Sequence, residues 1–283
     1  MEGASPRQPE RPLWMEIDPA ALAHNLAYVR GLAGQRRVIA SVKANAYGHG
    51  AVEIACRLEA LGIDTLWTGS IAEAIAMREA GIKARILLFA GYLPGEIPQL
   101  LARGFVPTIY DREGALAVSR AARTQAPIYV KVDSGLGRLG VPLPEAESLI
   151  RDIVALPNIQ IEGIYSHLPF GDAVGRDWAL AHYQGFAALL ERLASMGIRP
   201  AVTQVWASSG LLAQLPDICN TVCVGHLLYG LSTVSDEVAP ATELRRAKTW
   251  PSMAAMAAGT PASPAWCRWV SAMACAIRSM GRA

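Results

Sequence analysis

The chain has 283 residues, 52% hydrophobic and 18% charged, with a formal net charge of +2. That length can bury a sizeable core in one large domain or two small ones. The near-neutral balance excludes nucleic-acid or anionic-membrane binding through a concentrated basic patch, and no uninterrupted apolar run approaches the ~18 residues that span a bilayer.

Residues 1–13 form a polar, proline-rich extension with no apolar core, so no signal peptide is expected. The cysteines are Cys56, Cys219, Cys223, Cys267 and Cys275, an odd number with no CxxC pair. A reducing, cytoplasmic setting is the simpler expectation. DPAALAHNLAYVRGL reads as a helix, with Asp18 as its N-cap and Pro19 in its first turn.

Strand-like runs then alternate with helix-like runs. The strands are expected at 37–43, 65–70, 85–91, 105–111, 128–134, 161–168, 201–209 and 221–225. They are rich in Val, Ile and Tyr and mostly continuous in apolar character, as strands buried on both faces are. AVEIACRLEALG, IAEAIAMREAG, EAESLIRDIVAL and DWALAHYQGFAALLERLASMG carry the intervening helical stripe, and several close on glycine. Eight strands in this rhythm predict an α/β fold, a parallel (β/α)8 barrel preceded by an N-terminal helix. A doubly wound sheet is the alternative. After Glu243 the character changes: the tail is crowded with Ala, Met, Trp and Arg and has no acidic residue. The expected division is therefore an extension at 1–13, a barrel at 14–245, and an atypical tail at 246–283 that is disordered or read out of frame.

In such a barrel the site forms where the strands end. Strand one ends in Lys43, followed by Tyr47. Strand five carries Lys131 and runs into SGLGRLG with Arg138. Strand six ends in His167, strand seven in Ser208 and Ser209, and strand eight in VGHLLYG. A lysine drawn out of water has a lowered pKa and serves as an amine nucleophile or Schiff-base former. The amides of Gly225 and His226 with the Ser209 hydroxyl would hold a phosphate where barrels commonly do. A phosphate anchor beside a Schiff-base lysine points to pyridoxal phosphate, with His167 over the pyridine ring and Arg138 on a substrate carboxylate. A Schiff-base aldolase using Lys131 is the competing chemistry. No His/Cys pair has zinc-ligand spacing, so no metal is expected.

MEIDPAALAHNL and VIASVKANAYGHG, followed by KVDSGLGRLG, GIYSHLPF, Ser208-Ser209 and GHLLYG, resemble the alanine racemase family of fold-type III pyridoxal-phosphate enzymes over residues 14–245. VKANAYGHG is highly specific to that family. The resemblance implies that Lys43 holds the cofactor as a Schiff base and moves the α-proton on one face. It assigns Tyr47, Ser209, Gly225 and His226 to the phosphate, His167 to the pyridine ring, Arg138 to the substrate carboxylate, and Lys131 to a position often carbamylated to orient that arginine. Three departures stand out. Cys223 replaces the arginine that faces the pyridine nitrogen, in VCVG where the family has VRPG. Ser208 replaces an asparagine. The tail shows no motif of the C-terminal β-domain, which supplies the opposite-face tyrosine, a second phosphate tyrosine and much of a homodimer interface. The implied function is racemisation of alanine or a related small amino acid, with a truncated and impaired chain expected. A non-catalytic carrier of pyridoxal phosphate is the alternative.

Overall fold

The computed structural model describes residues 16–239 and 244–249. Two compact units are distinguished. One is the barrel, Asp18–Ala247. The described part of the other is an antiparallel pair of two-residue strands, Glu16–Ile17 with Lys248–Thr249. The expectations for 1–13 and 250–283 lie outside the described residues. Ala247, assigned to the tail by composition, is fully buried in the barrel unit, where its carbonyl accepts from Asp18 N.

The first helix, α1 (Pro19–Ala33), starts where the sequence predicts. Asp18 Oδ1 accepts from Ala20 N at 2.8 Å and Ala21 N at 3.2 Å, satisfying donors that a helix start leaves open. Leu22, Leu26, Val29 and Ala33 form its buried stripe. Asn25, also buried, donates to the carbonyls of Leu228 and Arg245 and so ties α1 to the end of the barrel chain.

The barrel strands are β1 (Arg37–Ser41), β2 (Thr65–Thr68), β3 (Arg85–Leu88), β4 (Val106–Ile109), β5 (Ala126–Asp133), β6 (Ile159–Leu168), β7 (Val202–Trp206) and β8 (Thr221–Val224). Their order is β8-β1-β2-β3-β4-β5-β6-β7, every neighbour parallel. The intervening helices include α2 (Ala51–Ala60), α3 (Ile71–Glu79), α4 (Ile97–Ala102), α5 (Arg112–Ala121), α6 (Leu143–Val154), α7 (Ala173–Ser195) and the short α8 (Ser208–Leu212). The (β/α)8 expectation holds, and the doubly wound alternative does not. Among the described residues, no helix is long and apolar enough to cross a membrane.

The ring closes differently at one seam. Between β7 and β8 there is no backbone ladder. Asn220 Oδ1 instead accepts from Thr203 N at 3.0 Å, Asn220 N donates to Thr203 Oγ1 at 3.2 Å, and Asn220 Nδ2 donates to the Ala201 carbonyl at 2.9 Å.

Two apolar layers follow from the period-2 alternation of strand side chains. Ile39, Trp67, Leu87, Val106, Tyr129, Tyr165 and Val202 meet inside the barrel, with Phe89 and Cys223 packed against them. Residues of opposite parity, such as Ile128, Val130, Ile164 and Val205, pack outward against helical Val118, Ile150, Phe186 and Leu189. Each large side chain so buried contributes roughly 1.5–3 kcal/mol.

Candidate active site

The ladder of β1 stops at Ser41, so Lys43 does not end a strand as expected. It opens a turn in which Ala44, Asn45, Ala46 and Tyr47 are all left-handed, with φ of 51, 55, 53 and 55°. Four consecutive residues with a Cβ in that region cost roughly 1–2 kcal/mol each. Bonds within the turn offset part of this. Ala46 N donates to the Val42 carbonyl at 2.8 Å, Gly50 N to the Asn45 carbonyl at 3.0 Å, and Ala51 N to Asn45 Oδ1 at 2.8 Å. The turn brings Lys43 and Tyr47 to the same cavity wall, with Lys43 Nζ 5.6 Å from the centre of the Tyr47 ring and 5.5 Å from that of Phe89.

Every residue nominated from sequence lines one cavity of about 250 Å³: Lys43, Tyr47, Lys131, Arg138, His167, Ser209, Cys223, Gly225 and His226. Ser208 lines it too. Ser208 and Ser209 open α8 rather than end a strand, because the ladder of β7 stops at Trp206.

One end of the cavity is rich in hydroxyls. Ser209 Oγ accepts from Phe170 N at 3.2 Å, which leaves its own hydrogen to donate elsewhere. Ser208 Oγ accepts from Gly225 N at 3.3 Å. Tyr47 Oη stands 3.5 Å from Ser41 Oγ, and its ring lies 5.0 Å from those of His226 and Tyr229. A Cβ on Gly225 would fall 2.2 Å from Tyr47 Oη, so only glycine admits the phenol there.

Basic side chains line another part of the wall. Lys131 is buried on β5, its Nζ 5.7 Å from the Tyr165 ring centre. Burial, then the nearby Arg138 and Lys43, lower its amine to about 8 against the pull of Asp133. Burial and Arg138 likewise lower Lys43. Burial, reinforced by Arg138, Lys131 and Lys43, holds His167 down at about 3, so its imidazole is neutral at physiological pH. Burial and Lys43 also lower His226. Arg138 itself is exposed, at the mouth, on a loop shaped by Asp133 Oδ1, which accepts from Gly135 N at 3.0 Å and Gly137 N at 3.2 Å. Cys223 faces the cavity from β8, and burial pushes its thiol well above the ordinary range, so it is un-ionised. No carboxylate is among the described residues lining this space.

Sequence reasoning missed Trp67, Phe89, Tyr165, Phe170 and Thr233, which line the wall with Ser41, Pro169 and Ala207. Tyr165 was accessible through parity, since it shares a strand face with His167 two residues on. Trp67 and Tyr165 meet edge to face at 4.7 Å. Trp67 Nε1 and Thr233 Oγ1 are buried with no hydrogen-bond partner among the described residues. Among the described residues no group of His, Cys, Asp or Glu could hold a metal.

An amine held below its usual pKa, a cluster of hydroxyls and a wall without carboxylates describe a (β/α)8 barrel with a lysine-lined cavity at its mouth. Residues 17–233 match the family model described as alanine racemase, N-terminal domain. The chain is 32% identical over 243 residues to the alanine racemase of Symbiobacterium thermophilum, covering 85% of this chain and 64% of that protein. It is 35% identical over 234 residues to that of Geobacter sp. strain M21, covering 78% and 60%. Among solved structures, alanine racemase of Clostridium difficile 630 in complex with cycloserine superposes with a TM-score of 0.78 at 28% identity, covering 86% of this chain and 68% of that one. The enzyme from a D-cycloserine-producing Streptomyces lavendulae gives 0.78 at 30%, covering 86% and 65%. The chain belongs to the alanine racemase N-terminal domain family. It spans less than two thirds of the length of these two curated relatives.

Proposed function

We propose that the chain carries the cofactor site of a pyridoxal-phosphate-dependent racemase that interconverts L- and D-alanine or a related small amino acid. The observation that carries this reading is the shared wall of Lys43, Tyr47, Ser209 and Gly225 in a cavity with several basic groups and no lining carboxylate. The donor set fits the cofactor. The Gly225 position leaves room beside the Tyr47 phenol, and Ser209 has a hydroxyl hydrogen to spare for a phosphate oxygen. The unpartnered Trp67 Nε1 and Thr233 Oγ1 fit a wall built to meet a polar ligand.

When bound, pyridoxal phosphate supplies an electron sink that acidifies the α C–H of an amino acid. Tyr47, Ser209 and the amide of His226 would hold its phosphate, joined by the Gly225 amide once it exchanges Ser208 Oγ for a phosphate oxygen, with His167 beside its ring. Lys43, whose amine gives up its proton more readily than an exposed lysine because burial and Arg138 lower its pKa, is the group that meets an aldehyde and carries a proton on its own side of the cavity. Arg138 at the mouth would orient the substrate carboxylate, and Lys131 lies deeper, close enough to influence that guanidinium. Cys223, neutral at the inner wall, offers neither a fixed positive charge nor a strong donor. A cytoplasmic homodimer belongs to the same proposal. Leu93, Leu139, Val174 and Leu231 are exposed beyond the C-terminal ends of β3, β5, β6 and β8 and offer apolar surface to a partner.

The test is incubation of the chain with pyridoxal phosphate and L-alanine in heavy water, with Lys43→Ala as control. Lys43-dependent deuterium at the α-carbon is expected. D-alanine formed alongside it shows proton carriers on both faces, and retained L configuration shows one. No exchange, with no cofactor fixed on Lys43 after borohydride reduction, overturns the proposal.

A further inference from the structure

We propose that Glu73 is a positioning residue that locks the left-handed turn Ala44–Tyr47 to the barrel wall, so that Lys43 and Tyr47 enter the cavity as one unit. The inference rests on the reading that these two side chains receive the cofactor.

The backbone bonds of the turn tie it to the start of α2 and, at its base, to Val42, whose own amide donates to the Trp67 carbonyl of β2 at 2.9 Å. The side-chain link from the middle of the turn to the wall is made by Glu73, in the first turn of α3. Its Oε1 accepts from Asn45 N at 2.7 Å, and its Oε2 accepts from Thr68 Oγ1. Thr68 is fully buried at the end of β2. The carboxylate therefore bridges a fixed strand and the second residue of the strained turn. On the other side, Tyr47 rests against His226 and Tyr229, and Tyr229 Oη donates to the Ser41 carbonyl at 2.9 Å. The turn is held between these two supports.

The local sequence would send Glu73 elsewhere. Ser70-x-x-Glu73 is the pattern of a capping box, in which the glutamate folds back onto the N-cap amide. Half of that box is formed, since Ser70 Oγ accepts from Glu73 N at 3.4 Å. The carboxylate itself reaches Asn45 and Thr68 instead. Asn45 sits between Lys43 and Tyr47, so loss of its anchor would relax both side chains together.

The experiment compares the full chain with Glu73→Gln, Glu73→Ala and Thr68→Val. Affinities for pyridoxal phosphate and for pyridoxal are measured by absorbance titration, with melting temperatures in parallel. The pH dependence of Lys43 acylation by acetic anhydride is followed by peptide mass without cofactor. Glu73→Ala is expected to weaken pyridoxal phosphate by about tenfold or more, and to narrow its advantage over pyridoxal as the phenol leaves the phosphate end. Glu73→Gln keeps an acceptor for Asn45 N and is expected to retain most of the affinity. Thr68→Val should fall between them, and serves if Glu73→Ala does not fold. Lys43 should titrate higher in Glu73→Ala than in wild type. Unchanged affinity ratios with unchanged acylation profiles overturn the inference, as does Glu73→Gln falling as far as Glu73→Ala. Wild type that fails to bind pyridoxal phosphate at Lys43 overturns the cofactor reading instead, while the acylation profiles still decide the role of Glu73.

Discussion

Replacing Gly225 with alanine gives a test of how tightly the phenol is seated. The new Cβ would lie 2.2 Å from Tyr47 Oη, 2.7 Å from Cζ and 3.1 Å from Cε2. The backbone of Gly225 has φ of −125°, so the methyl adds no left-handed strain and the whole cost is steric. Tyr47 cannot slide along the wall, because His226 and Tyr229 stand 5.0 Å from its ring. It must swing toward the cavity. Overpacking of this kind costs about 1–3 kcal/mol, which for a barrel of this size lowers the melting temperature by roughly 2–4 °C per kcal/mol. The assay is a thermal-melt cycle of Gly225→Ala, Tyr47→Ala and the double variant. With the ring gone the methyl has room, so the double variant should be more stable than the sum of the two losses implies, by about 1 kcal/mol or more. Additive losses would refute the reasoning, because they would mean that the methyl and the ring never compete for the same space.

Gly135→Ala should act on the substrate side. Its Cβ would lie 2.0 Å from His182 Cδ2, and its φ of +133° disfavours any side chain. The Arg138 loop should shift, weakening binding of the proposed amino-acid substrate while leaving affinity for pyridoxal phosphate near wild type; a titration of each ligand checks it. Lys131→Met should stabilise the chain at pH 7 by up to about 3 kcal/mol, read by urea unfolding. The unfolded lysine keeps its proton to about 10.5 and the folded one only to about 8. Between those values the unfolded state holds more protons, wild-type stability rises with pH, and the advantage of methionine should shrink toward pH 10.

The eight strands were legible because their Val, Ile and Tyr runs are buried on both faces, and the nominated cavity residues because five of those strands carry them to one mouth. The strand ends were not. At 42–43, 69–70 and 207–209 the predicted strands continue past the last ladder residues, Ser41, Thr68 and Trp206. The left-handed turn was invisible for a physical reason: Ala, Asn, Ala and Tyr carry no glycine to announce positive φ. Its anchor was hidden as well, because Ser70-x-x-Glu73 reads as an ordinary helix start until the carboxylate is seen to turn away from it. Trp67 depended on register, since its pairing opposite Ser41 is what brings it to the cavity.

The seam between β7 and β8 is the line along which the described barrel strands lack a backbone ladder. The side chains of Asn220 and Thr203 close it at one end and Ser208 Oγ, accepting from Gly225 N, at the other, without the repeated rungs found at the other strand boundaries. Ser209 lies just beyond one edge of that line and Gly225 just beyond the other. An anion gripped by both would act as a clasp across the weakest boundary of the ring. Ligand occupancy and barrel integrity are then two readings of one equilibrium: amides along β7 and β8 should exchange with solvent first in the empty chain and gain the most protection when the clasp is fastened.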